Sequence, residues 1–339
     1  MPPLYLLEQG AELRCDGECL LIHQDGQPQR SVPLIKVEQV VVFGNVRLST
    51  PAIKRLLDRE IDVIFLTVDG RFQGRLVGAT PPHVGLRRRQ YRRAEDRAWA
   101  LELARALVLG KLHNGRTLLQ RYRRDRQMPP PELDEAIAAL AQARARAMET
   151  QGHAALLGAE GFGTQRYFAG LRALFDPAWG FTTRARRPPT DPVNVLLSLG
   201  YTLLLHNVVS ALETVGLDPY LGFLHREVYN RPALALDLME EFRPVLVDSV
   251  VVQVCRDGTL TPALFSRSDD AERPVVLEDA GKRRFIEAFE ARLRREVLHP
   301  EGSDSAPGQV SYRRCIELQA RRLARAIQQG SVYQPFQLR

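Results

Sequence analysis

The sequence predicts an α+β protein, a small N-terminal β-sheet domain followed by a larger all-α domain, and three observations carry that prediction. The first eighty or so residues break into short apolar runs separated by DG and DGQP turns, which is the spacing of hairpin-linked strands. A cluster of Gly and Pro, GATPPHVG at 78–85, is followed at once by an arginine run, and such breakers mark boundaries. Beyond it, apolar residues recur at helical spacing over long stretches. A chain of 339 residues also exceeds the usual reach of one hydrophobic core. The expected organisation is a β-rich domain over 1–80, a basic linker or hinge over 81–93, and a helical domain over 94–339.

In chain order, strands are expected at 4–7, 12–15, 19–23, 31–34 and 39–43. A helix then interrupts them, because Thr50 can cap TPAIKRLLDRE and Pro51 suits a first helical turn. Its apolar face is Ile53, Leu56 and Leu57. Runs at 63–68 and 71–77 flank Asp69-Gly70, a strong hairpin signal. Helices follow at 94–112, 131–149, 193–215, 237–251, 280–298 and 309–329, with a flexible loop over 301–308. The apolar LLSLGYTLLLHNVVSALE is the expected central helix.

There are 47 basic and 40 acidic residues, a formal charge of +7. Distribution matters more than the total, since arginines cluster at 87–93, 121–126, 184–187 and 313–325, with Tyr91, Tyr122 and Tyr312 among them. Guanidinium groups bind phosphate bidentately and release counterions, so a polyanionic partner is expected. Arg87, Arg88, Arg184, Arg186 and Arg187 are candidate contacts. Cys15 and Cys19 stand in C-x₃-C spacing with no second pair at zinc-site spacing, which argues against a zinc site. A reduced, cytoplasmic protein fits. With no run of 18 apolar residues and no basic start ahead of an apolar core, neither a membrane span nor a signal peptide is expected.

LHREVYNRPALALDLMEEFRP, 224–244, sets His225 ahead of a helix carrying Asp237, Glu240 and Glu241 among apolar residues. A buried carboxylate needs a partner. Either Glu240 pairs with Arg243 at i,i+3 and His225 is a satisfied loop residue, or the segment belongs to a divalent-metal site. The second reading needs a further oxygen ligand, and Glu160 supplies one: it lies among Gly158, Ala159, Gly161 and Gly163, small residues that let another group approach. Glu160, His225 and Glu240 together suit Mg²⁺ or Mn²⁺. Asp237 could support a second ion or brace the first. Beside arginine clusters, the reaction class is phosphoryl transfer on nucleic acid.

Six pieces along the chain carry a family resemblance: GNVRLSTPAIKRLLDREIDVIFLTVDGRFQGRL, ELARALVLGKLHNGRTLL, AEGFGTQRYFAGL, DPVNVLLSLGYTLLLH, LHREVYNRPALALDLMEEFRP and VYQPFQLR. In this order they resemble the CRISPR-associated integrase of spacer acquisition, the Cas1 family. The resemblance implies a dimerising β domain, an α-helical catalytic domain and a homodimer. It further implies that two such dimers flank a Cas2 dimer in a heterohexamer, which joins duplex spacer precursors to a CRISPR repeat. The family's metal ligands match Glu160, His225 and Glu240, and a further acidic position matches Asp237. KLHNGR matches its basic motif through Lys111, Asn114 and Arg116, and Tyr167 lies in a matching segment as a candidate DNA contact. Gly163, Thr164 and Gln165 depart from the small residues often found there. A stand-alone metal-dependent nuclease acting on branched or damaged DNA would use the same residues. A non-catalytic DNA-binding scaffold would explain the arginines but not the acidic set.

Overall fold

The computed structural model describes residues 3–25, 27, 29–78, 83–225, 228–303 and 306–338, and the chain divides into two compact units, 1–81 and 82–339. In the first, β1 (Leu4–Leu6), β2 (Glu12–Asp16), β3 (Cys19–His23), β4 (Arg30–Pro33), β5 (Gln39–Phe43) and β6 (Arg47–Leu48) precede α1 (Thr50–Asp58), β7 (Asp62–Leu66) and β8 (Phe72–Leu76). They form two four-stranded sheets, ordered β4-β3-β2-β6 and β1-β5-β7-β8. Alternate residues of β2 and β3, Leu13, Leu20 and Ile22, share one core with Leu6, Val40, Val42, Val63 and Leu56 of α1. The β5 strand is parallel to both neighbours and buried throughout, which is why it reads as an unbroken apolar run. Cys15 pairs with Leu20 and Cys19 with Asp16, so the two thiols lie on opposite faces of the sheet.

Two local readings shift. The cap of α1 is Ser49, whose hydroxyl accepts from Ala52 N at 3.3 Å, and Thr50 is the first helical residue. The β7–β8 hairpin is closed by five residues rather than two, with a register shift between Phe65 and Leu66 and the Thr67 hydroxyl accepting from Arg71 N at 3.0 Å.

The second unit holds α2 (Val84–Glu95), α3 (Arg97–Arg124), α4 (Pro131–Glu149), α5 (His153–Arg172), α6 (Pro192–Thr214), α7 (Ala233–Met239) and α8 (Ser249–Arg256). A ribbon of β9 (Phe265–Arg267) and β10 (Val275–Leu277), then α9 (Asp279–Arg294), a second ribbon of β11 (Glu296–Ser303) and β12 (Ala306–Ser311), and α10 (Tyr312–Gln329) complete it. The unit is mostly helical, as expected, with these two ribbons added. One core packs α3, α4 and α5 through Ala104, Leu112, Leu119, Leu140, Ala143 and Leu156. The central α6 is long and apolar enough to cross a membrane by length and composition alone, but 61% of its apolar window is buried inside the protein.

Residues 84–93, expected as linker, are helical. The reason is tertiary: buried Gln90 donates its amide to Asp218 O (2.8 Å) and Leu221 O (3.0 Å), contacts that no periodicity reports. Residues 81 and 82 of that expected linker lie outside the described residues. The single helix expected over 237–251 is three pieces, with a π-helical segment Arg243–Asp248 between α7 and α8. Pro244 has no N–H to continue the α register, and π segments of this kind recur at functional sites. The helix expected over 280–298 ends at Arg294, and the expected loop 301–308 belongs to the β11–β12 ribbon, with 304 and 305 outside the described residues.

Candidate active site

Close packing of α3 against α5 builds the site. A Cβ on Gly163 would overlap Leu112 Cδ2 and lie 3.0 Å from the Ala143 methyl, so the missing side chain is what lets the helices approach this closely without a shift. That approach sets Glu160, one turn earlier on α5, beside Lys111 on α3. The Lys111 ammonium is ion-paired to Glu160 Oε1 and lies 2.8 Å from Glu240 Oε2. Thr164 donates its hydroxyl to Glu160 Oε1 at 2.8 Å. Glu240, at the C-terminal end of α7, has a side chain only 4% exposed, and its other oxygen lies 3.3 Å from Arg243 Nε. Burial alone would raise its carboxyl, but the Arg243 guanidinium and the Lys111 ammonium outweigh burial and hold it at about 2. Glu240 is therefore an anion in a buried setting.

His225 reaches this group from the loop before α7. Its Nδ1 lies 2.6 Å from Asp237 Oδ1, which also accepts from His225 N at 2.9 Å. Asp237 Oδ2 accepts from Phe223 N (2.6 Å) and Leu224 N (2.9 Å). With both oxygens engaged inside the protein, Asp237 braces the histidine loop. His225 Nε2 has no partner among the described residues, and a ring whose other nitrogen is held by a carboxylate is the usual posture of a metal-binding histidine.

Among the described residues, no three His, Cys, Asp or Glu side chains already form a metal cage. The two carboxylates nevertheless fit a cation. Both already converge on a single ammonium, and buried Glu240 Oε2 accepts no hydrogen bond even though Lys111 Nζ is near. The pair is thus an ion contact off the hydrogen-bonding direction, and an unmet carboxylate lone pair is what a hard cation takes. Glu160, Glu240 and His225 Nε2 are the groups that could hold it.

The remaining candidates divide. Lys111 belongs to the acidic centre itself. Arg186 and Arg187 are exposed, and Arg186 lines a cleft with Lys111, Thr164 and Arg243. Arg88 is exposed, while Arg87 is half-buried with Nε 3.4 Å from Gly216 O, and Arg116 is half-buried with an enclosed Nε. Three others turn inward. Arg184 donates to Asn194 Oδ1 (2.8 Å) and Ser198 Oγ (3.0 Å), and its guanidinium carbon lies 5.4 Å from the Tyr201 ring centroid. Tyr167 is buried and donates to Asp248 Oδ2 at 2.6 Å. Asn114 is fully buried, donating to Glu241 O (2.7 Å) and Phe336 O (2.9 Å) and accepting from Leu338 N (2.8 Å).

Two features escaped sequence reasoning. Asp248 accepts from both Tyr167 and Tyr201, the latter at 2.5 Å. Residues 331–338 form a strap in which the Tyr333 hydroxyl (2.7 Å) and Phe336 N (2.5 Å) donate to the Glu241 carboxylate and Phe336 stacks on Phe242. The MEEF doublet was a usable signal, because adjacent helical residues face different ways: Glu240 turns to the site and Glu241 to the strap.

The family model for "CRISPR associated protein Cas1" matches residues 4–291. The chain is 44% identical over 336 residues, 99% of each chain, to a CRISPR-associated endonuclease Cas1 of Thermus thermophilus. Its fold is similar to a casposase bound to integration product, with TM-score 0.83, 22% identity, and 99% of this chain and 93% of that one covered. It is similar also to a chain of a Cas6-RT-Cas1–Cas2 complex, with TM-score 0.84 and 24% identity, all of this chain matching 36% of that one.

Proposed function

This chain belongs to the CRISPR-associated Cas1 family, and we propose that it is a metal-dependent DNA endonuclease and integrase that joins short duplexes to a CRISPR repeat by attack of a 3′ hydroxyl on a phosphodiester. The observation that carries the reading is the convergence of Glu160 and Glu240 on one cationic position beside the braced His225. Mg²⁺ or Mn²⁺ held there by Glu160, Glu240 and His225 Nε2 supplies stabilisation of charge on the phosphodiester oxygens. Arg243 keeps Glu240 ionised. Asp237 fixes the histidine ring so that Nε2 is presented. Exposed Arg186 on the cleft rim meets phosphate and adds positive charge without reading sequence.

In the joining step the attacking 3′ oxygen forms a bond to phosphorus and the target strand's own 3′ oxygen leaves. One phosphodiester replaces another, and the proton lost by the donor hydroxyl is matched by the one gained on the leaving oxygen. The working assembly in this reading is a homodimer, dimerising through residues 1–80, with two dimers flanking a Cas2 dimer in the cytoplasm. The name of the structurally similar Cas1–Cas2 complex and that of the casposase support the partner and the DNA product respectively.

The test uses duplex donors, a repeat-bearing plasmid, Mg²⁺ or Mn²⁺ and the Cas2 partner. Donors with 3′ hydroxyls are expected to be joined, and donors ending in dideoxynucleotides to bind equally but give no joined product. Glu160→Ala, His225→Ala and Glu240→Ala should each abolish joining. If dideoxy donors leave activity unchanged and only shortened fragments appear, the protein is a nuclease and not an integrase.

A further inference from the structure

Only four of the 47 basic residues are lysines: Lys36, Lys54, Lys111 and Lys282. One of the four stands between the two carboxylates of the site, in a protein that otherwise uses arginine. The two side chains differ in a way that matters there. Arginine is a planar fork that grips carboxylates bidentately, whereas lysine is a compact charge on a flexible stem. A group that must leave a carboxylate is better built as lysine.

The charges point the same way. Glu160 and Glu240 are faced by Lys111 and Arg243, so these two carboxylates are matched by two cations before any ion arrives. Lys111 is ion-paired with the oxygens that an ion would need, and its side chain is 14% exposed. Arg243 addresses the other oxygen of Glu240. An ion entering between Glu160 and Glu240 meets the ammonium at its own position. The stem also has somewhere to go, because Lys111 lines the same cleft as Arg186 and Arg243. The backbone on either side of it is closely packed: a Cβ on Gly110 would lie 2.7 Å from Pro335 Cβ, and one on Gly115 3.1 Å from the Tyr167 ring.

We infer that Lys111 is a tethered stand-in cation, which holds Glu160 and Glu240 together in the metal-free protein and is expelled into the cleft when a divalent ion binds. The inference rests on the metal-dependent reading above. Metal affinity is then set by competition with a charge the protein carries itself, and the expelled ammonium lies where a phosphate would approach. Without it, the metal-free site would hold two close carboxylates with one cation, and removing one partner of a buried pair is strongly destabilising.

The experiment combines Mn²⁺ titration, thermal unfolding and lysine labelling of the full chain. In the native protein, acylation of Lys111 by an N-hydroxysuccinimide ester, read by peptide mass spectrometry against Lys36 and Lys54, should rise several-fold on Mn²⁺ binding. Lys111→Met should unfold at a lower temperature in EDTA, recover with Mn²⁺, and bind Mn²⁺ at least about tenfold more tightly, one 1.4 kcal/mol step. Lys111→Arg, which keeps the charge and hence the fold, should bind Mn²⁺ more weakly than the native protein because the fork does not let go. Unchanged Lys111 labelling, or Mn²⁺ binding no tighter in Lys111→Met while the native protein binds it, overturns this inference alone. Absence of Mn²⁺ binding in all three proteins overturns the metal-dependent reading and this inference with it.

Discussion

Asp248 is a buried carboxylate between two tyrosine hydroxyls, and its environment fixes how its charge bears on stability. Burial pushes it up to about 6, against the opposing pull of Tyr167, Tyr201, Arg243 and Arg184. An unfolded aspartate titrates near 3.8, so between these values the folded protein binds more protons than the unfolded one. Its stabilising contribution is therefore complete below about 3.8 and is lost as pH rises through about 6. Asp248→Asn should flatten the fall in unfolding free energy over that window by about one proton, measured by denaturant melts at several pH values. A slope identical to the native protein's would place the titration elsewhere. Residues of this kind mark the limit of a sequence reading. Glu160, His225 and Glu240 stood out because their types and neighbours are unusual together. The inward turn of Tyr167, Arg184 and Asn114 depends on partners 81, 10 and 127 residues away in the chain, and no local spacing encodes such pairs.

Elements were legible where one face does the packing. Strands β2 and β3 alternate, and α4 and α6 repeat their apolar residues at helical spacing, so each announced itself. The α2 helix did not, because it is held by the amide of Gln90 and not by an apolar stripe. The break after α7 was hidden because the apolar residues of the π segment continue those of the flanking helices without interruption. Helix approach is also where small residues act. Gly163→Ala inserts a methyl into the contact between α5 and Leu112, and overpacking of this sort typically costs about 1–3 kcal/mol. The expected outcome is a lower unfolding temperature together with weaker Mn²⁺ binding, since Glu160 rides on the displaced helix. Gly161→Ala, where nothing lies within 4 Å, is the control and should leave the unfolding temperature close to native.

At the scale of the whole molecule, the formal charge of +7 understates the basic surface, because part of the arginine set is turned inward. Exposed Arg186 and Arg187 remain. Replacing both with glutamine should weaken binding to every duplex alike and reduce the log–log salt slope by roughly 2, from about 0.9 per phosphate contact. Fluorescence anisotropy at several salt concentrations reads this directly, and an unchanged slope would remove these two residues from the DNA interface. The strap adds a consequence in time. Glu241, next to Glu240, takes its hydroxyl and amide donors from residues 92 and 95 positions further along the chain. At roughly 5–20 residues per second on the ribosome, roughly 5–20 s separate synthesis of the acidic helix from synthesis of the segment that anchors it. During that interval the nascent chain carries Glu241 without its anchor, so the order of translation itself delays the moment at which the acidic helix is secured.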